Sequence, residues 1–295
     1  MPHLLVFGLG YSSRATIRAA GTRYDRITAT VRSADRAQAL SGAPVEGQSV
    51  TVLPFDGSDV PEALAAAIAS ADDILISAPP GPAGDPVLAA CGALLAAHPP
   101  RGVAYLSTVG VYGDHDGGWV DEETPAMPSS IRSRERVEAE AVWQAFGRAH
   151  GVPVAVLRLS GIYGPGQNAL VNLARGTARR IIRPGQVFNR IHVDDIAQAV
   201  LASFDRRYDG IVNVTDDEPS PAQDVVAHAA EILGLPVPPD IPFEQSGLSE
   251  MGRSFYDECK RVRNDRLKGE LSVKLLYPNY RVALRALAAG GDGRR

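Results

Sequence analysis

Short, uninterrupted apolar runs alternate with stretches of helical spacing through the first half of the chain. Residues 3–7 (HLLVF) end in glycines, 12–20 then reads as a helix, and 27–31, 50–53, 74–77 and 103–107 repeat the strand signal. Continuous apolar runs of this length suit strands buried on both faces, as in a parallel sheet. Between them, 61–71 and 86–97 are Ala/Leu-rich, of helical length, and carry proline in the first turn. The βαβαβ alternation predicts an α/β fold with a doubly wound parallel sheet. A longer helix is expected over 129–150, closed by Gly151, and another buried strand over 153–159 (PVAVLRL).

After Leu159 the pattern changes. Residues 161–166 (GIYGPG) read as loop, 187–191 as a short strand, 193–203 as a helix and 211–214 as a strand, and prolines then cluster around a single helix over 222–233. The expected division is a main α/β domain over 1–160, with 187–214 returning to its sheet. A small C-terminal lobe is expected from 161–186 and 215–290, and a frayed tail over 291–295.

Composition narrows the functional classes. With 30 Lys+Arg against 34 Asp+Glu among 295 residues the net charge is -4, which argues against a nucleic-acid partner. Cys91 and Cys259 form no disulfide framework and sit in no zinc-ligand spacing, so no metal is expected. No apolar run approaches the roughly 18 residues that cross a bilayer, and MPHLLVFGLG lacks the features of a signal peptide; the expectation is a cytoplasmic protein with no membrane partner. All three lysines (Lys260, Lys268, Lys274) lie near the C-terminal end, which speaks against any mechanism that needs an early lysine.

Gly8, Gly10 and Ser13 form GxGxxS between the first strand and the first helix, where the pyrophosphate of a dinucleotide meets unpaired amides. Gly8 permits the tight turn and Gly10 lets backbone approach phosphate. The helix N-terminus adds roughly half a positive charge, with Tyr11 and Ser12 in its first turn. Ser13 replaces a third glycine, and its hydroxyl is a possible phosphate donor. At the end of the second strand stand Thr30, Val31, Arg32 and Ser33, with no carboxylate before Asp35. Arg32 and Arg36, with Arg14 as a third candidate, fit a 2′-phosphate, so NADP is favoured and NAD is the second choice. Asp56 either contacts adenine or caps its own turn. Ala78 and Pro79, after the fourth strand, complete the expected cofactor-binding set.

Four motifs then carry a resemblance over nearly the whole chain: Ser107 to Gly113 (STVGVYG), Leu157-Arg158-Leu159, Tyr163-Gly164-Pro165-Gly166, and Asn189 to Asp195 (NRIHVDD). In order and spacing the chain resembles the extended short-chain dehydrogenase/reductase superfamily, the NAD-dependent epimerase/dehydratase group. The resemblance implies a Rossmann-like sheet with a small substrate lobe. It puts Thr108 on the reacting oxygen of a small-molecule substrate, Tyr163 near the nicotinamide, and His192 with Asp194 at the floor of the lobe. It also allows a homodimer through 86–97 and 129–150.

The chain departs from the family at YxxxK. Aligning the downstream Glu with Glu140 puts Arg132 at the tyrosine position and Arg136 at the lysine position. An arginine, with a pKa above about 12, cannot take the tyrosine's place as acid and base. Losing such a group removes typically about 10²- to 10⁴-fold in rate. The candidate catalytic residues are therefore Thr108, Arg132, Arg136, Tyr163 and His192, with Tyr112 and His115 weighed as packing and loop residues. Arg132 and Arg136 either face the cleft and hold an anionic substrate, or lie on a solvated helix face in Arg134/Glu138 and Arg136/Glu140 pairs. Two functions remain open: a reductase or epimerase-like oxidoreductase on a small oxygenated substrate, anionic if the arginines face the cleft, or an NADP(H)-binding sensor or scaffold without redox turnover.

Overall fold

The computed structural model describes residues 1–294. Seven parallel strands form its central sheet: β1 (His3–Phe7), β2 (Arg26–Val31), β3 (Thr51–Pro54), β4 (Asp73–Ile76), β5 (Gly102–Thr108), β6 (Val154–Leu159) and β7 (Gly210–Val214). Their spatial order is β7-β6-β5-β4-β1-β2-β3. The order reverses between β1 and β4, the switch point at which an open α/β sheet leaves a crevice for ligand.

Before β7 the chain carries helices α1 (Tyr11–Ala20), α2 (Ala34–Leu40), α3 (Glu62–Ala69), α4 (Pro86–Ala97), α5 (Ile131–His150), α6 (Ala169–Ala174) and α7 (Val193–Asp205). Every residue of β1 is buried, because alternate side chains serve two cores. Leu4 and Val6 pack with Ile17, Ile196 and Val200 under α1 and α7. Leu5 and Phe7 pack with Leu64, Val87 and Trp143 under α3, α4 and α5. Asp85 caps α4 by accepting from the amides of Val87 and Leu88, and its other oxygen accepts from the Trp143 indole at 3.0 Å, which locks α4 to α5. Helix α5 starts at Ser130, whose hydroxyl accepts from Ser133 N, and stops at Gly151 in the left-handed conformation.

Only part of 187–214 returns to the sheet. Arg190–His192 pairs instead with Gly161–Tyr163 as a separate two-stranded ribbon, and β7 alone joins the central sheet. After β7 come α8 (Ala222–Leu233), α9 (Glu250–Ser254), α10 (Asp265–Gly269) and α11 (Tyr280–Ala289). The lobe has its own core, in which Tyr163, Leu170 and Leu173 pack against Ala229 of α8 and Leu284 of α11. The tail differs from the expected fraying. The Asp292 carboxylate accepts from Gly166 N and from the Asn168 amide, holding 291–294 against the lobe, while residue 295 lies outside the described residues. No helix among the described residues is long and apolar enough to cross a membrane.

Candidate functional site

The glycine loop sits at the switch point. Gly8 has φ +95°, and a Cβ there would meet the Ala78 backbone nitrogen at 3.0 Å, so β1 and the segment after β4 approach only because this residue is glycine. Gly10 precedes α1 with no side-chain cap, and a Cβ on it would meet nothing within 4 Å. The first amides of α1 therefore face open space at a helix N-terminus, an arrangement that takes a pyrophosphate. Ser12 and Ser13 are buried in this turn. The Ser13 hydroxyl donates to Gly8 O at 2.6 Å, so its single proton closes the turn and is not free for phosphate, contrary to the sequence expectation.

Around this cradle the arginines separate. Arg32 is exposed at the end of β2, and Ser33 caps α2 by accepting from Arg36 N. Arg14 lies 3.8 Å from Glu46, which also pairs with Arg18, so it is the least free of the three candidates. Asp56 folds its Oδ1 onto the amide and hydroxyl of Ser58, which holds its carboxyl below the usual range. Ala78 donates its amide to Phe7 O, and Pro79 is exposed beside it.

Strand β5 ends at Thr108, which caps a short 3₁₀ turn by accepting from Gly110 N at 3.1 Å. That bond occupies a lone pair and leaves the hydroxyl hydrogen available. A Cβ on Gly110 would lie 3.1 Å from Ser133 Oγ and 3.4 Å from Thr108 Oγ1, so α5 brings a second hydroxyl to the same corner. Ser133 was not singled out by its sequence, since it stands one residue beyond the family's tyrosine position.

Arg132 is exposed on the first turn of α5. Arg136 is engaged within the protein: its Nη1 donates to Leu106 O at 2.6 Å and reaches the Tyr105 hydroxyl, with the guanidinium over the Tyr105 ring. Neither the Arg134/Glu138 nor the Arg136/Glu140 pair forms among the described residues: Arg134 donates to Ser129 O, and Glu140 is taken by Arg158. Glu140 is buried and binds Arg158 of β6 through Nε at 3.1 Å and Nη2 at 2.7 Å, and it also accepts from the Ser107 hydroxyl. Arg158 lies 4.8 Å over the Tyr112 ring, and the Tyr112 hydroxyl donates to Asn213. Tyr112 is thereby a packing residue, and the Arg158–Glu140 pair fixes β5 and β6 beneath Thr108.

His192 is fully buried, and its Nδ1 caps α7 by accepting from Asp194 N at 3.2 Å. Burial pushes its pKa down to about 4, so it is neutral at pH 7. Capping and packing against Tyr163 and Tyr277 are the roles this structure gives it, in place of the proton transfer considered from sequence. Burial raises the pKa of Tyr163 far above that of an ordinary phenol, and its hydroxyl has no partner among the described residues. Gly164 beside it leaves room for Tyr11, whose hydroxyl donates to Pro165 O at 3.0 Å and joins the start of α1 to the lobe.

The fold also supplies a lysine that its sequence position concealed. Arg261–Val262 pairs with Trp119–Val120, and Lys260, buried just before it, donates to Gly113 O at 2.6 Å and to Glu258 at 2.5 Å. A late lysine thus reaches the loop after Thr108. Cys259 neighbours it, Cys91 is buried elsewhere, and both are free thiols.

Residues 86–215 match a family model described as the NAD dependent epimerase/dehydratase family. A solved structure of a functionally unknown conserved protein from Silicibacter pomeroyi is 48% identical, with a TM-score of 0.86, 99% of this chain covered and 100% of that one. The dTDP-glucose 4,6-dehydratase of Bacillus anthracis, solved in complex with NAD, is 17% identical with a TM-score of 0.76, covering 99% of this chain and 98% of that one; it attests the fold. A 3-diazoavenalumate denitrifying reductase from Streptomyces is 29% identical over 178 residues, 56% of this chain and 55% of that protein. The chain thus spans about half the length of that curated relative.

Proposed function

Because the chain belongs to the NAD-dependent epimerase/dehydratase family of extended short-chain dehydrogenase/reductases, we propose that it binds a nicotinamide dinucleotide, preferentially NADP(H), and reduces or epimerises a small oxygenated, anionic substrate. The observation that carries this reading is the uncapped start of α1 above Gly8 and Gly10 at the β1/β4 switch point. When bound there, the dinucleotide supplies or accepts hydride. The amides of Tyr11 and Ser12 hold its pyrophosphate, Arg32 its 2′-phosphate, and Ala78 and Pro79 flank it. The similar reductase named for Streptomyces and the dehydratase solved with NAD are consistent with this cofactor class.

Thr108 then orients the substrate. Its oxygen accepts from Gly110 and keeps its hydrogen free, so it donates a hydrogen bond to the reacting oxygen. Arg132, exposed at the head of α5, anchors an anionic group in a bidentate fork. Arg136 supports the site by fixing α5 to the Leu106 carbonyl. At the family's tyrosine position Arg132 supplies no proton-transferring group, which leaves the acid's role vacant. The second reading, a sensor that binds NADP(H) without turnover, rests on that vacancy and on the immobilised Arg136.

The test is the rate of NADPH oxidation with a panel of aldehydes, ketones and keto acids, for the wild type and for Thr108→Ala. An active wild type slowed about 10²-fold by losing the hydroxyl supports the reductase reading. No substrate-dependent oxidation, with tight NADPH binding retained, favours the sensor. NADPH at 100 times its Kd adds about 2.7 kcal/mol of stability, so the absence of any thermal shift with NADPH or NADH would overturn both.

A further inference from the structure

Two serines at the head of α5 are ordered in a way that capping the helix does not require. Ser130 Oγ accepts from Ser133 N at 3.1 Å, which caps α5, and it also donates to Ser133 Oγ at 2.9 Å. The Ser133 oxygen is thereby an acceptor within the protein, and its own hydrogen has no acceptor among the described residues. Ser130 is exposed, whereas Ser133 is 8% exposed. The pair therefore runs from solvent into the corner beside Thr108.

The point where a Cβ on Gly110 would stand is 3.1 Å from Ser133 Oγ and 3.4 Å from Thr108 Oγ1. The two hydroxyls thus border one small space, which a side chain at position 110 would fill, and both Thr108 and Gly110 are partly exposed there. Their supply of protons differs. Thr108 Oγ1 accepts only the Gly110 amide among the described residues, so a proton it gave away would not be replaced. A proton leaving Ser133 would be replaced from Ser130. The neighbouring donors are spent: Ser107 on Glu140, Tyr112 on Asn213, and Lys260 on Gly113 O and Glu258.

We propose that Ser130 and Ser133 form a hydroxyl relay that carries a solvent proton to the substrate oxygen held at Thr108. The relay rests on the reductase form of the function proposed above and gives the proton its route. As the carbonyl carbon takes hydride from the reduced nicotinamide, the C–O π pair moves onto oxygen. That oxygen takes the Ser133 proton, Ser133 takes the Ser130 proton, and Ser130 takes one from water. The products are the alcohol and the oxidised nicotinamide, both serines end as neutral hydroxyls, and solvent has supplied one proton. The lone pairs suffice, since Ser130 accepts from Ser133 N and from water while Ser133 accepts from Ser130. Because each proton is replaced as it leaves, neither serine has to exist as an alkoxide.

The experiment is single-turnover oxidation of NADPH by the full chain at saturating substrate, using whichever aldehyde, ketone or keto acid the wild type reduces fastest; this format excludes product release. Ser133→Ala is expected to slow the step about 10²-fold, the lower end for a positioned acid, with the Kd for NADPH unchanged. Ser130→Asn and Ser130→Thr separate the relay from the cap. Both keep an oxygen that caps α5, but an amide passes on no proton, so the Asn variant should be slowed about tenfold or more while the Thr variant keeps the wild-type rate. Capping alone would leave the two equally fast, and that result overturns the relay. So does a loss in Ser133→Ala that appears only below saturating substrate, which would make the hydroxyl a binding group. A wild type that reduces no member of the panel defeats the reductase reading and the relay together. A wild type that turns over while Ser133→Ala matches it defeats the relay alone.

Discussion

The buried Arg158–Glu140 pair gives the sharpest test of how the site is held. The two side chains are 6% and 4% exposed, the pair is bidentate, and Ser107 adds a further donor to the same carboxylate. Glu140→Gln keeps the shape and leaves the guanidinium buried with half its acceptor and none of its counter-charge. Removing one partner of a buried pair costs about 3–5 kcal/mol. The Tyr112 ring still faces Arg158 at 4.8 Å and retains about 1 kcal/mol of cation–π attraction, which sets the expectation near the lower end, about 3 kcal/mol. At roughly 2 °C per kcal/mol for a chain of this size, the melting temperature should fall by about 6 °C. Urea unfolding followed by far-UV circular dichroism measures the change, with the midpoint moving and the slope constant. The double variant Glu140→Met with Arg158→Met removes both charges and should recover at least half of the loss. A single-variant loss under about 1 kcal/mol, or a double variant less stable than the single, would refute the claim that an uncompensated charge is what the carboxylate prevents.

Gly8→Ala should destabilise the fold by about 1–3 kcal/mol and abolish NADPH binding, because it adds positive-φ strain and a 3.0 Å contact with the Ala78 backbone; unfolding and fluorescence titration read the two effects. Arg32→Ala should weaken NADPH about tenfold and NADH hardly at all, and equal weakening of both would contradict its assignment to the 2′-phosphate. Asp216 gives a pH dependence. Its folded-state pKa of about 8 lies above its ordinary 3.8, so the folded state binds the extra proton and its contribution to stability falls as pH rises through 8. Asp195, at about 6, acts in the same direction at lower pH, whereas His192, at about 4, acts oppositely below 6.5. The unfolded-state titration of His192 and His3, both lowered from 6.5 by burial, opposes Asp216 up to about pH 7.5, so Asp216 is read by difference: Asp216→Asn should remove a negative slope of at most about 1.4 kcal/mol per pH unit from urea titrations between about pH 6 and 8.

The sheet was legible because most positions of its strands are apolar and buried, bounded by glycines or helical segments. β1 and β6, for instance, bury every residue, and no other element type explains such runs beside 10- to 20-residue helices. The lobe was not legible in the same way. Its strands, such as Arg180–Ile182 paired with Asp240–Pro242, are three residues long and give no periodicity to read. Helix α11 escaped notice although Asn279 caps it and its buried positions Tyr280, Ala283, Leu284 and Leu287 keep helical spacing. One signal was available and unused. Arg158 stands in the middle of a fully buried strand, and a charge there demands a carboxylate; Glu140, already the landmark of the motif alignment, was that partner.

The same reasoning explains what the two arginines at the YxxxK positions do. An arginine at position 136 cannot give up its proton, but its planar fork reaches the Leu106 carbonyl and Tyr105 together, so the residue anchors α5 to β5. Position 132 is left exposed, and Ser133 rather than a phenol comes to the corner beside Thr108. On the reading proposed above, β5 and α5 form a rigid wall for a substrate oxygen, and the arginines at the YxxxK positions exchange no proton with it. On the same reading, a reaction on this wall would take its proton from solvent. Arg132, on that reading, holds the ionised carboxylate of a substrate and does not draw a proton from it, so a neutral carbonyl compound should bind more weakly and be reduced more slowly than its carboxylated analogue.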